Sequence, residues 1–111
     1  MPSYLLSYRM PAGYVPTPDT HAAWREFFDT ISTHLDDIGN PIFDRRAVGD
    51  TSPSTVLGGY SMISAGSLEE AAELAGGCPL LGHGGGVEIG ELTPLTDTTG
   101  ATTTAAGVAS A

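Results

Sequence analysis

The apolar positions of the chain fall into two kinds of pattern: short runs that suit strands, and stripes at three- and four-residue spacing that suit helices. Ser3-Tyr4-Leu5-Leu6-Ser7-Tyr8 is rich in aromatic and aliphatic residues and is closed by Pro11-Ala12-Gly13, which predicts a first strand. Thr17-Pro18-Asp19-Thr20 supplies a helix start, with a hydroxyl cap, a proline in the first turn and an early acid at the positive helix end. Trp24, Phe27, Phe28, Ile31, Leu35 and Ile38 then form one apolar stripe, with Arg25, Glu26, Asp29, Asp36 and Asp37 opposite. The spacing predicts a single helix running to Ile38 and stopped by Gly39-Asn40-Pro41.

Ile42 to Val48 reads as a second strand whose Asp44, Arg45 and Arg46 suit a sheet edge, and Gly49 to Ser54 as loop. Leu57 to Ala65 is a third strand. Ser67-Leu68-Glu69-Glu70 is a capping box opening a second helix, with Leu68, Ala71, Ala72 and Ala75 on its apolar side and Gly76-Gly77 at its end. Cys78 to Leu81 forms a compact turn, Gly82 to Gly86 a flexible loop, and Val87-Glu88-Ile89-Gly90-Glu91-Leu92 a cleanly alternating fourth strand. Residues 1–95 form one domain on this reading. Residues 96–111, mostly Thr, Ala and Gly, have too little to bury and are expected to be a disordered tail.

The order β-α-β-β-α-β is the ferredoxin-like, split βαβ plan of the α+β class. Right-handed crossovers put the first and third strands in the centre of a four-stranded antiparallel sheet, the fourth beside the first and the second beside the third. Both helices cover one face. Neither face of the central strands is purely polar, so the uncovered face is expected to pack against a second copy, giving a homodimer around a cavity. The topology also gathers Tyr8, Tyr60 and Glu88 at one edge, with His21, His83 and the loops after Tyr8 and around Asp50.

Composition narrows the function classes. The chain has 111 residues, 13 acids against four arginines, no lysine and a net charge of −9. Nucleic acid and anionic lipid are poor partners for such a surface. The lone Cys78 forms no internal disulfide, and no run approaches a membrane span, so a cytoplasmic domain is expected.

The candidate chemistry follows from position. With Val87 and Ile89 facing the helices, Glu88 faces the expected dimer cavity, where Tyr8 and Arg9 on the adjacent strand could compensate its charge. It reads as either an interfacial acid or the one candidate catalytic residue, a general base or ligand-holding carboxylate. His21, at the helix start, and His83, in the glycine loop, are each a solvated side chain or a ligand contact. Tyr8, Arg9, His21, Tyr60, His83 and Glu88 make up the candidate ligand-binding set. His34 reads as a half-buried helix flank and Cys78 as a small buried thiol. The three histidines share no metal-binding spacing, and the glycine loop follows a helix and opens a strand, opposite to a dinucleotide fingerprint. No metal or cofactor is implied.

Taken together, Gly59-Tyr60-Ser61-Met62-Ile63, Ser67-Leu68-Glu69-Glu70-Ala71, Glu73-Leu74-Ala75, Gly77-Cys78-Pro79 and Gly85-Gly86-Val87-Glu88-Ile89 resemble the YCII-related domain, and more narrowly its short DGPF-type relatives. Tyr4 to Tyr8 and Gly39-Asn40-Pro41 fit the same pattern, so the resemblance spans about Ser3 to Leu95. It implies a dimeric α+β barrel, with some members encoded near extracytoplasmic-function sigma factors and a catalytic His–Asp pair suggested in one branch. The chain departs from that branch. Asp50-Thr51-Ser52-Pro53-Ser54 stands where the Asp-Gly-Pro-Phe signature belongs, and the branch histidine sits early in the first helix whereas His34 lies late. With that pair not carried over, the favoured expectation is a non-catalytic small-molecule-binding or regulatory module. The alternative is a small-molecule enzyme with acid/base chemistry in the barrel cavity. An enzyme predicts a cavity with convergent titratable groups, a module a filled apolar barrel.

Overall fold

The chain folds locally much as its punctuation dictates. A computed structural model describes residues 1–51 and 54–95; the tail expected beyond Leu95 lies outside the described residues. β1 (Ser3–Pro11) leads to α1 (Pro18–Thr30), a 3-10 turn (Ser32–His34) and β2 (Leu35–Pro41). β3 (Thr55–Ser64), α2 (Leu68–Ala75), a second 3-10 turn (Pro79–His83) and β4 (Gly86–Leu92) complete it. The sheet order is β2-β3-β1-β4 with every pair antiparallel, the ferredoxin-like α+β arrangement the sequence predicts.

Both helix starts hold the predicted caps. The Thr17 hydroxyl accepts from the Thr20 N–H at 3.2 Å, and the Thr20 hydroxyl accepts from the Thr17 N–H at 2.6 Å, a reciprocal pair that satisfies two otherwise unpaired donors. Ser67 caps Glu70 at 3.1 Å. The Glu70 carboxylate reaches one residue further back than a standard box, accepting from the Gly66 N–H at 2.5 Å.

The largest departure from expectation lies between these helices. α1 ends at Thr30, and Leu35 and Ile38, assigned by their spacing to its stripe, belong instead to β2. Thr30-Ile31-Ser32-Thr33 explains the break, since β-branched and hydroxyl residues are weak helix formers whose side chains compete for backbone partners. The Ile31 N–H still bonds to Phe27 O, and the His34 N–H closes the 3-10 turn on Ile31 O at 2.9 Å. Leu35 then lies opposite Ile63 in the sheet. Ile42 to Val48 is therefore not the second strand. Its remaining ties to β3 are the Ile42 N–H on Gly58 O at 3.1 Å and the Arg45 guanidinium on Leu57 O at 2.7 Å.

Alternation assigns the two sheet faces. Tyr4, Leu6 and Tyr8 of β1 and Ser61 and Ile63 of β3 are buried toward the helices, where Phe27 and Ile31 of α1, Ala71 and Ala75 of α2, and Cys78 and Leu80 close the core. Burying each large apolar side chain contributes roughly 1.5–3 kcal/mol. Trp24, first residue of the apolar stripe, is only half-buried; it stands at the core's margin with its ring edge-on to Tyr8 at 5.0 Å. On the opposite face Leu5 pairs with Met62, and Ser7 lies between Tyr60 and Glu88.

Two glycines set the geometry of the β2–β3 edge. Gly39 adopts φ +78°, and a Cβ there would run into the Tyr60 carbonyl, so only glycine lets the strands approach so closely. Gly58 is the extra residue of a bulge, since Tyr8 pairs with Gly59 while Arg9 pairs with Leu57. The Met10 side chain occupies the space where a Gly58 side chain would stand.

Candidate functional site: a cleft between the first helix and the sheet edge

Short α1, ending at Thr30, and the glycine-rich β2–β3 edge leave a cleft of about 470 Å³ between them. One wall is α1, presenting His21, Trp24, Arg25 and Phe28, residues three and four apart and so on one helix face. The opposite wall is Ile38, Gly39 and Asn40 of β2 with Phe43 beyond it. Tyr8, Met10 and Tyr14 close one end, and Gly58, Gly59 and Tyr60 of β3 complete the lining. The volume lies within the roughly 300–1,000 Å³ range of small-molecule sites.

Aromatic rings dominate it. Trp24 contacts Phe28 at 5.6 Å in a tilted arrangement, and Phe27, behind them, meets Tyr8, Trp24 and Phe28 at 6.5, 5.9 and 5.4 Å. Edge-to-face contacts of this kind hold the rings in fixed orientations, so the wall is a shaped surface.

A directed chain of hydrogen bonds ties the cleft to the sheet. The Tyr8 hydroxyl donates to Ser61 Oγ at 2.9 Å, and the Ser61 hydroxyl donates to the Ile38 carbonyl at 2.6 Å. A carbonyl only accepts, so both protons are committed and the free capacity of Tyr8 is as an acceptor. Burial pushes the Tyr8 phenol up to about 12, its bond to Ser61 partly opposing the shift. The residue is therefore neutral at physiological pH.

The lining also has a charge pattern. It includes Arg25 and His21 but no carboxylate among the described residues, in a chain with 13 acids and four arginines. Asn40 Nδ2 donates to the Tyr60 hydroxyl at 3.2 Å. The Tyr14 hydroxyl is buried and has no hydrogen-bond partner among the described residues.

The residues expected to act together divide into two groups. Tyr8, His21 and Tyr60 line the cleft; Arg9, His83 and Glu88 do not. Tyr8 and Glu88 lie on opposite faces of the sheet, which corrects the expectation that they meet at one edge. Glu88 is exposed and stands across from Ser7. Arg9, expected to compensate it, is engaged elsewhere, donating to Thr55 Oγ1 at 3.2 Å and to Thr55 O at 2.9 Å. His83 is exposed at the end of the second 3-10 turn, its ring edge-on to Tyr14 at 6.4 Å. His34 does not reach the cleft; its Nδ1 bonds to the Ser64 carbonyl at 2.9 Å and pins the 3-10 turn to β3.

Cys78 is buried, and desolvation pushes its thiol up to about 11, so it packs as an apolar residue. No group of His, Cys, Asp and Glu among the described residues forms a metal centre, and none of the described helices is long and apolar enough to cross a membrane. Trp24, Phe28, Ile38 and Tyr14 are among the lining residues that the sequence did not mark as functional, as is Arg25, which was expected opposite the apolar stripe and instead shares the cleft face with Trp24 and Phe28. The only signal for Trp24, Phe28 and Ile38 was an apolar stripe wider than the core could cover.

The fold has a solved counterpart. The structure is similar to 5-chloro-2-hydroxyhydroquinone dehydrochlorinase (TftG) from Burkholderia phenoliruptrix AC1100, determined in complex with 2,5-dihydroxybenzoquinone, with a TM-score of 0.60. The match covers 82% of this chain and 93% of that one at 16% sequence identity, and it shows a shared α+β fold of two helices on a four-stranded antiparallel sheet. No family model matches the sequence, and no curated protein matches it significantly.

The raised pKa values make stability fall at alkaline pH. The unfolded chain releases the Cys78 proton near 9 and the Tyr8 proton near 10, whereas the folded protein holds them to about 11 and about 12. Stability from these groups is thus fully present below pH 9 and is lost as pH rises through 12. Urea melts at pH 9 to 12 should show this decline, and Tyr8→Phe should flatten its part between pH 10 and 12. An unchanged slope in that variant would mean the Tyr8 phenol is not buried as described.

Proposed function

We propose that the chain binds a small acidic ring compound, of the phenol or hydroxyquinone class, in the cleft between α1 and the β2–β3 edge. The observation that carries this reading is an aromatic-walled cleft lined by Arg25 and His21 without a carboxylate, on a strongly acidic protein. Flat rings suit the Trp24 and Phe28 wall, and an ionised ring oxygen suits Arg25. The Tyr8 hydroxyl, acceptor only, suits a ligand that still carries one O–H. The structural neighbour was determined with 2,5-dihydroxybenzoquinone, a compound of this class. Binding without chemistry is the favoured form, in line with the expectation of a small-molecule-binding module. Membership of the YCII-related family belongs to the same proposal.

An enzyme is the second reading, favoured by His21. It lies in the first turn of α1 and lines the cleft, the early-helix position that the resemblance gives to a catalytic histidine. In this reading His21 moves a proton on the bound ring without a carboxylate partner among the described lining residues.

Titration calorimetry with 2,5-dihydroxybenzoquinone tests the main reading. Saturable binding is expected, weakened about 3- to 10-fold in Arg25→Gln, the scale of a charge-assisted hydrogen bond at a partly exposed site. No binding at millimolar ligand, or an Arg25→Gln variant with unchanged affinity, would contradict it.

Assembly is a separate proposal: two copies pack face to face through the uncovered sheet face. Leu5 and Met62 are half-buried there, Leu57 and Leu92 remain 36% and 38% exposed, and neither described helix covers them. Sedimentation at micromolar concentration should give twice the chain mass, and Met62→Lys should give one chain mass with the fold retained. A wild-type monomer would overturn the assembly and leave the cleft reading standing.

A further inference from the structure

We infer that Tyr14 selects oxygen-bearing ligands for the cleft, by giving its buried hydroxyl to a ring oxygen in place of a protein partner. The inference rests on the ligand class proposed above and names the residue that discriminates within it. Tyr8, Tyr14 and Tyr60 line the cleft, Tyr60 from a strand position whose side chain belongs to the far sheet face, and their hydroxyls differ in what remains free. The Tyr8 proton is committed to Ser61, and the Tyr60 hydroxyl is met by Asn40. The Tyr14 hydroxyl is buried and, among the described residues, without any partner.

A buried hydroxyl left in this state is unfavourable in the free protein, because it has lost its water without gaining a hydrogen bond. Buried polar atoms are nearly always paired, so an unpaired one on a residue that lines the cleft points to a group that arrives later. The ring itself is held. The Tyr14 N–H bonds to Pro11 O at 3.1 Å, and the His83 ring stands edge-on to it at 6.4 Å.

This hydroxyl can donate and accept, so it pairs with a carbonyl, a phenol or a phenolate oxygen alike. A hydrocarbon ring of the same shape fills the cleft but leaves Tyr14 unpaired. Discrimination therefore comes from the polar group the site must satisfy, which separates ligands more sharply than apolar contact does. Water does not reach the hydroxyl in the free protein. The segment between Pro11 and Thr17 must yield as the ligand enters, and the new hydrogen bond offsets that shift.

The test compares phenol with toluene, near-isosteres that differ in the oxygen, on the full chain and on Tyr14→Phe. Trp24, the single tryptophan, reports occupancy by its fluorescence, and calorimetry checks the affinities. The wild type should prefer phenol. Tyr14→Phe should lose about 3- to 10-fold in phenol affinity while toluene affinity is unchanged. Its melting midpoint without ligand should stay level or rise, because the unpaired hydroxyl is gone. A merely structural tyrosine would instead lower the midpoint and weaken both ligands by the same factor, which overturns the inference. So does an unchanged phenol-to-toluene ratio in the variant when both ligands bind, and the cleft reading then survives. If neither probe binds the wild type, the cleft reading itself fails and the inference with it.

Discussion

The close approach of β2 to β3 at Gly39 is the contact on which the rest of the site depends. With a side chain at that position the two backbones could not pair as they do, because the Tyr60 carbonyl already fills the space. The pairing brings the Ile38 carbonyl within reach of Ser61, and Ser61 in turn fixes the Tyr8 hydroxyl. Three strands are thus joined beneath α1 by side-chain bonds as well as by their ladders. Tyr8 then holds Trp24 edge-on, and the aromatic wall of the cleft follows. The cleft runs along the edge that carries Gly39, Gly58 and Gly59, where the lack of side chains lets neighbouring backbone and the Met10 side chain approach closely.

The two sheet faces carry different residues. Tyr4, Leu6, Tyr8, Ser61 and Ile63 belong to the core and the cleft; Leu5, Ser7, Met62 and Glu88 lie on the uncovered side. A ligand site between helix and sheet and an assembly surface on the far face can therefore coexist without competing. Glu88 is exposed on that uncovered side, out of reach of Tyr8.

Much of this fold was legible in the residues. Pro11 and Gly13, Thr17 to Thr20, the Ser67 cap and the alternation of Val87 to Leu92 are local signals with local causes, and each marks its element closely. The strand order followed from the element order alone. The boundary at Thr30 was not legible, because Leu35 and Ile38 continue the helical spacing although they serve a strand; only the weak helix formers from Thr30 to Thr33 mark the change. That one error displaced β2 and put His34 on a helix flank instead of in the 3-10 turn. The cleft was harder still to foresee. Tyr8, His21 and Tyr60 were singled out, but Tyr14, Trp24 and Phe28 read as ordinary loop and core residues. What makes them a site is space over an edge of glycines, a property of three-dimensional approach that no spacing in the chain encodes.

The central claim is that ligand enters between α1 and the β2–β3 edge, and amide chemical shifts locate that most directly. On titration of a 15N-labelled sample with 2,5-dihydroxybenzoquinone, the amides of Gly39, Gly58, Gly59 and Tyr14 should move together and saturate, while those of Ser7, Glu88 and Gly90 stay in place. Saturable shifts centred on Ser7 and Glu88, or none at any of these amides, would contradict the account.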